Sequence, residues 1–158
     1  MTVINLLIGV ISDTHRLLRP EALPALRGSD HIIHAGDIID SKILDSLREI
    51  APVTAVRGNI DTEPWARKIP LNDILEAGSI SIYVLHILQD LDLKPEAAGF
   101  GVVVSGRSHM PKQRNKKRCA LLQSRKRRAE ALKLLATVGR LHLDNGKARG
   151  EIVELPLT

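Results

Sequence analysis

Five short polar motifs, each placed directly after an apolar run, contain the side chains of this chain that could do chemistry. They are Asp13-x-His15, Gly36-Asp37-x-x-Asp40, Gly58-Asn59-x-Asp61, the lone His86 and Gly106-Arg107-Ser108-His109. Asp, Asn and His together form a ligand set for two divalent cations of the Mn, Fe or Zn type. Because paired cations of this kind hydrolyse phosphate esters, the motifs point to that chemistry.

Each motif has a plainer explanation when it is taken alone, and the joint order of the motifs is what favours a metal site. Asp13 and His15 are two residues apart, so in an extended segment they point the same way and can reach one cation. They could equally be a turn cap and a surface residue. Asp37 could bridge two metals or cap a helix. Asn59 offers a neutral carboxamide oxygen, although Gly-Asn is also a common turn.

The elements that must position these motifs alternate between strands and helices in the first half of the chain. Apolar runs predict eight strands: 5–11, 31–34, 52–56, 73–77, 79–85, 100–105, 137–143 and 147–155. Helical patterns follow Pro20 and Ser41, and a third covers 88–98. Either Asp40 or Ser41 is placed to cap the helix that follows Ser41. Asn145-Gly146 predicts a hairpin between the last two strands.

Length and composition limit the class of protein. A chain of 158 residues predicts a single domain over 1–158 that can bury its own core. The single cysteine, Cys119, cannot form an internal disulfide, and the first residues lack the pattern of a secretory signal. No apolar stretch approaches the roughly 18 residues of a membrane-spanning helix. We therefore expect a cytoplasmic protein without a membrane partner.

The net charge of +5 comes from one segment. Residues 112–133 hold ten Lys or Arg and one Asp or Glu, whereas the remainder holds 13 basic and 17 acidic residues. Residues 121–138 have the composition of a basic amphipathic helix, which could bind nucleic acid or an anionic surface. A charged, solvated helix or a disordered insert covering the site is the plainer interpretation, so a nucleic-acid partner is not favoured.

Four longer motifs carry a family resemblance: Ser12-Asp13-Thr14-His15, His34-Ala35-Gly36-Asp37-Ile38-x-Asp40, Val56-Arg57-Gly58-Asn59-x-Asp61 and Ser105-Gly106-x-Ser108-His109-x-Pro111. Through them, residues 6–111 and 137–155 resemble the calcineurin-like metallophosphoesterases, and among those the small YfcE-like phosphodiesterases. The resemblance implies an α/β fold, a four-layer α/β/β/α sandwich of two mixed β-sheets flanked by helices. It also implies one metal on Asp13, His15, Asp37 and His109, and a second on Asp37, Asn59 and His86, these last three being the catalytic residues.

The mechanism that the resemblance implies uses two cations about 3.5–4 Å apart, which share a hydroxide that attacks phosphorus in line. The implied function is a metal-dependent phosphoesterase of the phosphodiesterase type, with a small phosphate-ester substrate. The implied cations are two of Mn, Fe, Zn or Ni, with Mn favoured, and homo-oligomerisation stays open. Some relatives, including nucleases, have a leaving-group histidine where this chain has Ile60, which counts against a nuclease.

Two departures from the family pattern set this chain apart. Arg107 stands where the family has a histidine ligand for the second metal, and a guanidinium cannot bind a cation because it has no available lone pair. It could instead hold a substrate phosphate. Residues 113–135 stand where the family has a strand followed by an Asn-Pro-Gly-Ser-x-Gly loop, and that motif is absent. Yet 118–128 read one nucleotide out of register can encode Gly-Val-Leu-Phe-Tyr-Asn-Pro-Gly-Ser-Ala-Gly. We interpret this segment as a shifted reading frame, with a catalytically impaired protein of the same fold as the alternative function.

Overall fold

The computed structural model describes residues 5–12, 14, 20–87, 94, 97–107, 114–116, 119–123 and 137–154. The strands in chain order are β1 Asn5–Ile11, β2 His31–His34, β3 Val53–Ala55, β4 Asn72–Ala77, β5 Ile80–Ile87, β6 Val102–Arg107, β7 Arg114–Lys116, β8 Cys119–Gln123, β9 Thr137–Asp144 and β10 Lys147–Glu154. The helical elements are α1 Ala22–Leu26, α2 Ser41–Arg48 and a 3₁₀ helix, Pro64–Lys68.

The strands form two mixed sheets of five strands each, with the orders β10-β9-β1-β2-β3 and β4-β5-β6-β8-β7. In the first sheet β1, β2 and β3 run parallel, and β9 pairs antiparallel with β1. In the second sheet β5, β6 and β8 run parallel. Because the carboxyl ends of parallel strands meet at one edge, each sheet presents a row of strand ends on which polar residues can gather.

The hydrophobic core has two parts, one on each face of the first sheet. Between the two sheets, buried residues of β1 and β2 pack with those of β5, β6 and β9, including Ile8, Ile33, Ile82, Val104 and Leu141. On the other face of the first sheet, α1 and α2 pack through Leu26, Ile43, Leu44 and Leu47. Each fully buried side chain of this kind contributes about 1.5–3 kcal/mol, so both layers hold the first sheet in place.

Helix α2 leads directly out of one of the polar motifs. Its apolar residues Ile43, Leu44 and Leu47 are buried, as expected for a helix with one face on a sheet. Of the two residues predicted as its cap, Asp40 is the N-cap, and its side chain accepts a hydrogen bond from the backbone N–H of Lys42. The cap fixes where the loop before the helix must end.

The α/β class and the two facing mixed sheets confirm the predicted fold. All eight predicted strands lie within two residues of their observed bounds, whereas β7 and β8 were not predicted. The hairpin turn is also confirmed, with φ of 49° at Asn145 and 79° at Gly146. The helix predicted over 88–98, which would belong to the fourth layer, falls mainly outside the described residues. No helix in the described ranges is long and apolar enough to cross a membrane.

Two local predictions are wrong. The basic helix expected over 121–138 is not formed at its ends, because 121–123 belong to β8 and 137–138 to β9. Its middle lies outside the described residues. His86 was expected just after a strand, but β5 continues to Ile87, so the histidine lies within the strand.

Candidate metal centre

Asp37 and His86 are the two predicted ligands whose side chains the structure brings into contact. Asp37 follows β2 in the first sheet, and His86 lies near the carboxyl end of β5 in the second. The Oδ2 atom of Asp37 is 3.2 Å from Nε2 of His86, and both side chains are buried, with 3% and 4% exposed. The candidate centre therefore lies where the strand ends of the two sheets meet.

The His86 ring is oriented by the backbone of the first sheet. Its Nδ1 atom lies 2.6 Å from the carbonyl oxygen of Ala35, which can only accept a hydrogen bond. Nδ1 therefore carries a proton, and whenever the ring is neutral its lone pair is on Nε2, the atom that faces Asp37. Metal-binding histidines commonly donate their other ring N–H to a carbonyl in this way, so the tautomer is the one that a ligand needs.

Three glycines provide the space that this contact requires. A Cβ atom on Gly36 would be 2.5 Å from Nδ1 of His86, and one on Gly106 would be 2.9 Å from the same atom. A Cβ atom on Gly58 would overlap the backbone N and Oδ1 of Asp37. The motifs therefore need glycine for close packing around the two side chains.

The loop that carries Asp37 has a strained backbone. The φ angles of Gly36, Asp37 and Ile39 are 104°, 58° and 67°, all in the left-handed region. This region costs most L-residues roughly 1–2 kcal/mol, and a β-branched residue such as Ile39 is a true outlier there. Surrounding contacts must therefore hold the loop in this shape.

The Asp61 carboxylate makes three of these contacts. It accepts hydrogen bonds from the backbone N–H groups of Ile38 at 3.2 Å, Ile39 at 2.8 Å and Gly58 at 2.8 Å. The residue is only 5% exposed. One buried side chain thus ties the loop after β2 to the loop after β3.

Asn59, the third predicted catalytic residue, lies in the turn between Gly58 and Asp61 and is exposed. The next residue, Ile60, donates its backbone N–H to Oδ1 of Asp37 at 3.3 Å. The turn that carries Asn59 is therefore attached directly to the Asp37 carboxylate, whose other oxygen faces His86.

His34 also holds this loop, through hydrogen bonds to Gly36 and Thr14. The N–H of Gly36 donates to Nδ1 of His34 at 3.2 Å, and Nε2 of His34 is 3.1 Å from the hydroxyl of Thr14. The Thr14 hydroxyl in turn donates to the carbonyl oxygen of Ile38. The pKa of His34 is lowered to about 3, first by burial and then by the nearby His86 ring, while Asp37 opposes the shift. His34 is accordingly a neutral bridge between the ends of β1 and β2.

The remaining predicted site residues can be placed only in part. Asp13, His15 and His109 lie outside the described residues. Arg107 is the last residue of β6, and its Cα pairs with that of Ile87 beside the candidate centre. Within the described part of the chain, no group of three or more His, Cys, Asp or Glu side chains could hold a metal ion.

The Asp37 and His86 atoms suit a divalent cation. A carboxylate oxygen and a neutral imidazole nitrogen are suitable donors, and their 3.2 Å separation allows both to reach one ion because such bonds are about 2.0–2.2 Å long. The burial of both groups would also favour a cation that offsets the carboxylate charge. The residues present therefore fit the predicted metal, with Asp37 and His86 as its best-placed ligands.

Sequence reasoning missed the supporting residues Asp61 and His34. Asp61 stood in a quoted motif, and an Asp that ends a short turn commonly accepts backbone N–H groups. His34 directly follows two apolar residues at the end of a short strand and is buried with them, and a buried polar side chain normally has specific partners. Neither signal identifies the partners, because they are distant in sequence.

A two-sheet α/β sandwich with a buried Asp–His pair at its strand ends is the architecture of a metallophosphoesterase. The chain matches the family model of the calcineurin-like phosphoesterase superfamily domain over residues 6–146. It therefore belongs to the calcineurin-like phosphoesterase superfamily.

Two archaeal relatives bear names of the same class. A "Probable metallophosphoesterase" of Methanocaldococcus jannaschii is 40% identical over 120 residues, covering 68% of this chain and 60% of that protein. Another of Methanothermobacter thermautotrophicus is 34% identical over 118 residues, covering 67% of this chain and 68% of that protein. The chain thus spans about 60% of the length of the first of these relatives.

Solved structures share the fold. An archaeal phosphodiesterase superposes with a TM-score of 0.75 at 19% identity, covering 94% of this chain and 100% of that chain. Vps29 from Entamoeba histolytica in complex with Zn²⁺ superposes with a TM-score of 0.63 at 16% identity, covering 94% and 99%. At these identities the likeness establishes the architecture alone.

Proposed function

We propose that this chain is a metal-dependent phosphoesterase of the phosphodiesterase type, within the YfcE-like group, acting on a small phosphate ester in the cytoplasm. The observation that carries the proposal is the buried contact between Asp37 Oδ2 and His86 Nε2 at the meeting point of two sets of strand ends. Family membership supports the reaction class. Homo-oligomerisation is compatible with the proposal and is not required by it.

The proposed cations are two divalent ions, with Mn favoured over Fe, Zn or Ni, and Asp37 would bridge them. Such a pair would supply an activated hydroxide for attack on phosphorus and would neutralise charge on the phosphoryl oxygens. Asp13, His15 and His109 complete the proposed first site, and Asn59 and His86 the second. A zinc complex of a protein with the same fold supports a divalent metal here.

The chain's own residues would orient this site rather than change during the reaction. The Ile60 N–H holds Oδ1 of Asp37, and the Ala35 carbonyl holds the His86 ring, so the two donor atoms face each other before any substrate arrives. Ile60 cannot protonate a leaving group. We therefore propose that esters with good leaving groups are hydrolysed fastest.

A catalytically impaired protein of the same fold is the second candidate. The position of Arg107 favours it, because this residue ends β6 directly beside the strand that carries His86. A fixed positive charge near the site weakens cation binding unless the guanidinium holds a substrate phosphate. The two candidates therefore differ in metal affinity and in turnover.

The experiment that tests the proposal is Mn²⁺-dependent hydrolysis of bis-p-nitrophenyl phosphate. We expect hydrolysis by the unaltered chain and loss to the background rate in Asp37→Ala, because the bridging carboxylate is gone. Arg107→His, which restores a possible ligand, should raise the rate about tenfold or more. A version carrying the alternate-frame sequence at 118–128 is measured beside them.

Asp40→Asn is the matched control, since it removes one carboxylate from the same loop while asparagine can still cap α2. It should leave the rate unchanged. A silent unaltered chain with an active alternate-frame version would support the impaired protein. Silence in every version that still binds Mn²⁺ would refute the phosphoesterase proposal.

A further inference from the structure

The contacts of Asp61 suggest that it does more than fill a buried position. Its Oδ2 atom accepts the N–H groups of Ile38 and Gly58, and its Oδ1 atom accepts that of Ile39. Ile38 and Ile39 directly follow Asp37 in the strained loop, and Gly58 lies directly against the Asp37 side chain. The carboxylate therefore binds the backbone directly after Asp37 and also the backbone of the neighbouring loop, which packs against the Asp37 side chain.

We propose that Asp61 is a positioning residue, which holds Asp37 and Ile39 in their left-handed conformations and so aims the Asp37 carboxylate at His86. The inference rests on the metal site proposed above. Both oxygens of Asp61 are needed, because the three donors are shared between them. Asparagine has one acceptor oxygen and one N–H₂ group, so in Asp61→Asn at least one backbone N–H would face the amide N–H₂ group, which cannot accept a hydrogen bond.

The strain at Ile39 supplies a specific signature of this role. Ile39 has a φ of 67°, which glycine adopts freely and isoleucine does not. If Asp61 acts by opposing that strain, Ile39→Gly should reduce the need for the carboxylate. A residue that merely supported the fold would show no such dependence on the residue at position 39.

The test measures Mn²⁺ affinity by calorimetry and backbone amide exchange of the metal-free full chain by NMR. In Asp61→Asn we expect the Kd for Mn²⁺ to rise about 10- to 100-fold, the range for loss of a group that orients a ligand. Exchange at Ile38, Ile39 and Gly58 should also accelerate. The double variant Asp61→Asn/Ile39→Gly should recover part of the affinity.

Asp40→Asn is again the control, because it removes the same charge from a neighbouring carboxylate whose hydrogen bond, among the described residues, is to the N–H of Lys42 at the start of α2. Its Kd should change by less than about twofold, as expected for a surface charge. Asp61→Glu, which retains the charge but displaces the oxygens, replaces Asp61→Asn if the latter does not fold. Both variants are judged by the same criteria.

Unchanged amide exchange and unchanged Kd in the Asp61 variants would overturn the inference. So would a loss of Mn²⁺ affinity and an acceleration of amide exchange that Ile39→Gly does not relieve, since that result describes a purely structural residue. If the unaltered chain binds no Mn²⁺, the proposed function fails. Amide exchange, read without metal, then decides the role of Asp61 by itself.

Discussion

The loop after β2 and strand β5 deliver Asp37 and His86 to the same point, but they hold these side chains in different ways. Asp37 stands on a strained backbone whose N–H groups donate hydrogen bonds to Asp61 and His34, and its carboxylate accepts one from the N–H of Ile60. His86 stands in a regular strand, and two glycines and one carbonyl group define the position of its ring. The loop side relies on polar bonding and the strand side on close packing.

This difference separates the kinds of change that should disturb each side. The hydrogen bonds of the loop side are disturbed by changes of charge and protonation, because leaving a buried polar group without a partner costs about 1–3 kcal/mol of folding stability. A close-packed ring is disturbed by added volume, because extra atoms in a densely packed interior force neighbouring groups to move and lower the stability of the fold. Substitutions can therefore be chosen that act on one side and spare the other.

The largest predicted effect is on the packing around His86, from Gly36→Ala in the loop that faces this ring. The added Cβ would lie 2.5 Å from Nδ1 of His86, and φ at Gly36 is 104°. Left-handed strain and overpacking together should lower the free energy of unfolding by about 3 kcal/mol. Urea denaturation of the metal-free protein measures it.

Gly28→Ala is the matched control for that change. Gly28 has a φ of 83°, but no atom lies within 4 Å of an added Cβ. It should lose only about 1 kcal/mol, the cost of the backbone conformation. Equal losses in the two variants would mean that Gly36 serves the turn alone and that packing does not hold His86.

The second prediction concerns pH and tests the loop side. The pKa of His34 is lowered to about 3, first by burial and then by His86. The unfolded chain therefore binds a proton near its ordinary value of about 6.5 while the folded chain does not, so stability is full above that pH and falls below it. Between about pH 7 and pH 5 the loss should be about 2 kcal/mol.

Urea denaturation of the unaltered chain and of His34→Gln across this range measures the effect. The variant should be less sensitive to pH, because glutamine can make both hydrogen bonds without titrating. His31→Gln is the comparison, since burial also lowers the pKa of His31 but this residue is only partly buried. An equal pH dependence in all three proteins would show that the loop side is not held by a neutral His34.

The smallest predicted effect separates the loop from the helix that follows it. Asp40→Ala removes the N-cap of α2, which should lower the free energy of unfolding by about 1 kcal/mol. Amide exchange at Ile38 and Ile39 should stay slow, because these groups bond to Asp61. Faster exchange there would mean that the helix cap, and not Asp61, fixes the loop.

The fold was largely predictable from apolar runs and turn residues, and part of the site from its motifs. The hairpin at Asn145-Gly146 shows why, since both residues tolerate the left-handed conformation that such a turn requires. The order of their motifs marked Asp37 and His86 as candidate ligands, and the family resemblance implied that they share one metal. These features depend on neighbours in sequence or on a repeated placement at strand ends.

The features that were not predictable depend on distant contacts. The role of Asp61 requires knowing that two loops over 20 residues apart become adjacent in space. The helix predicted from 121 onward failed at 121–123, where pairing of β8 with β6 outweighs the helical preference of the residues. Local composition cannot report such a competition.

The pairing of β1 with β9 requires that residues from 137 onward be read in the same frame as β1. Six residues of β1, from Asn5 to Val10, pair with Gly139–Asp144, and Val138 and Leu141 are fully buried. A reading frame that shifted within 118–128 and was not restored before codon 137 would leave β1 without its partner strand β9. An altered frame in this gene must therefore consist of two compensating shifts, and both should be visible in the genomic sequence.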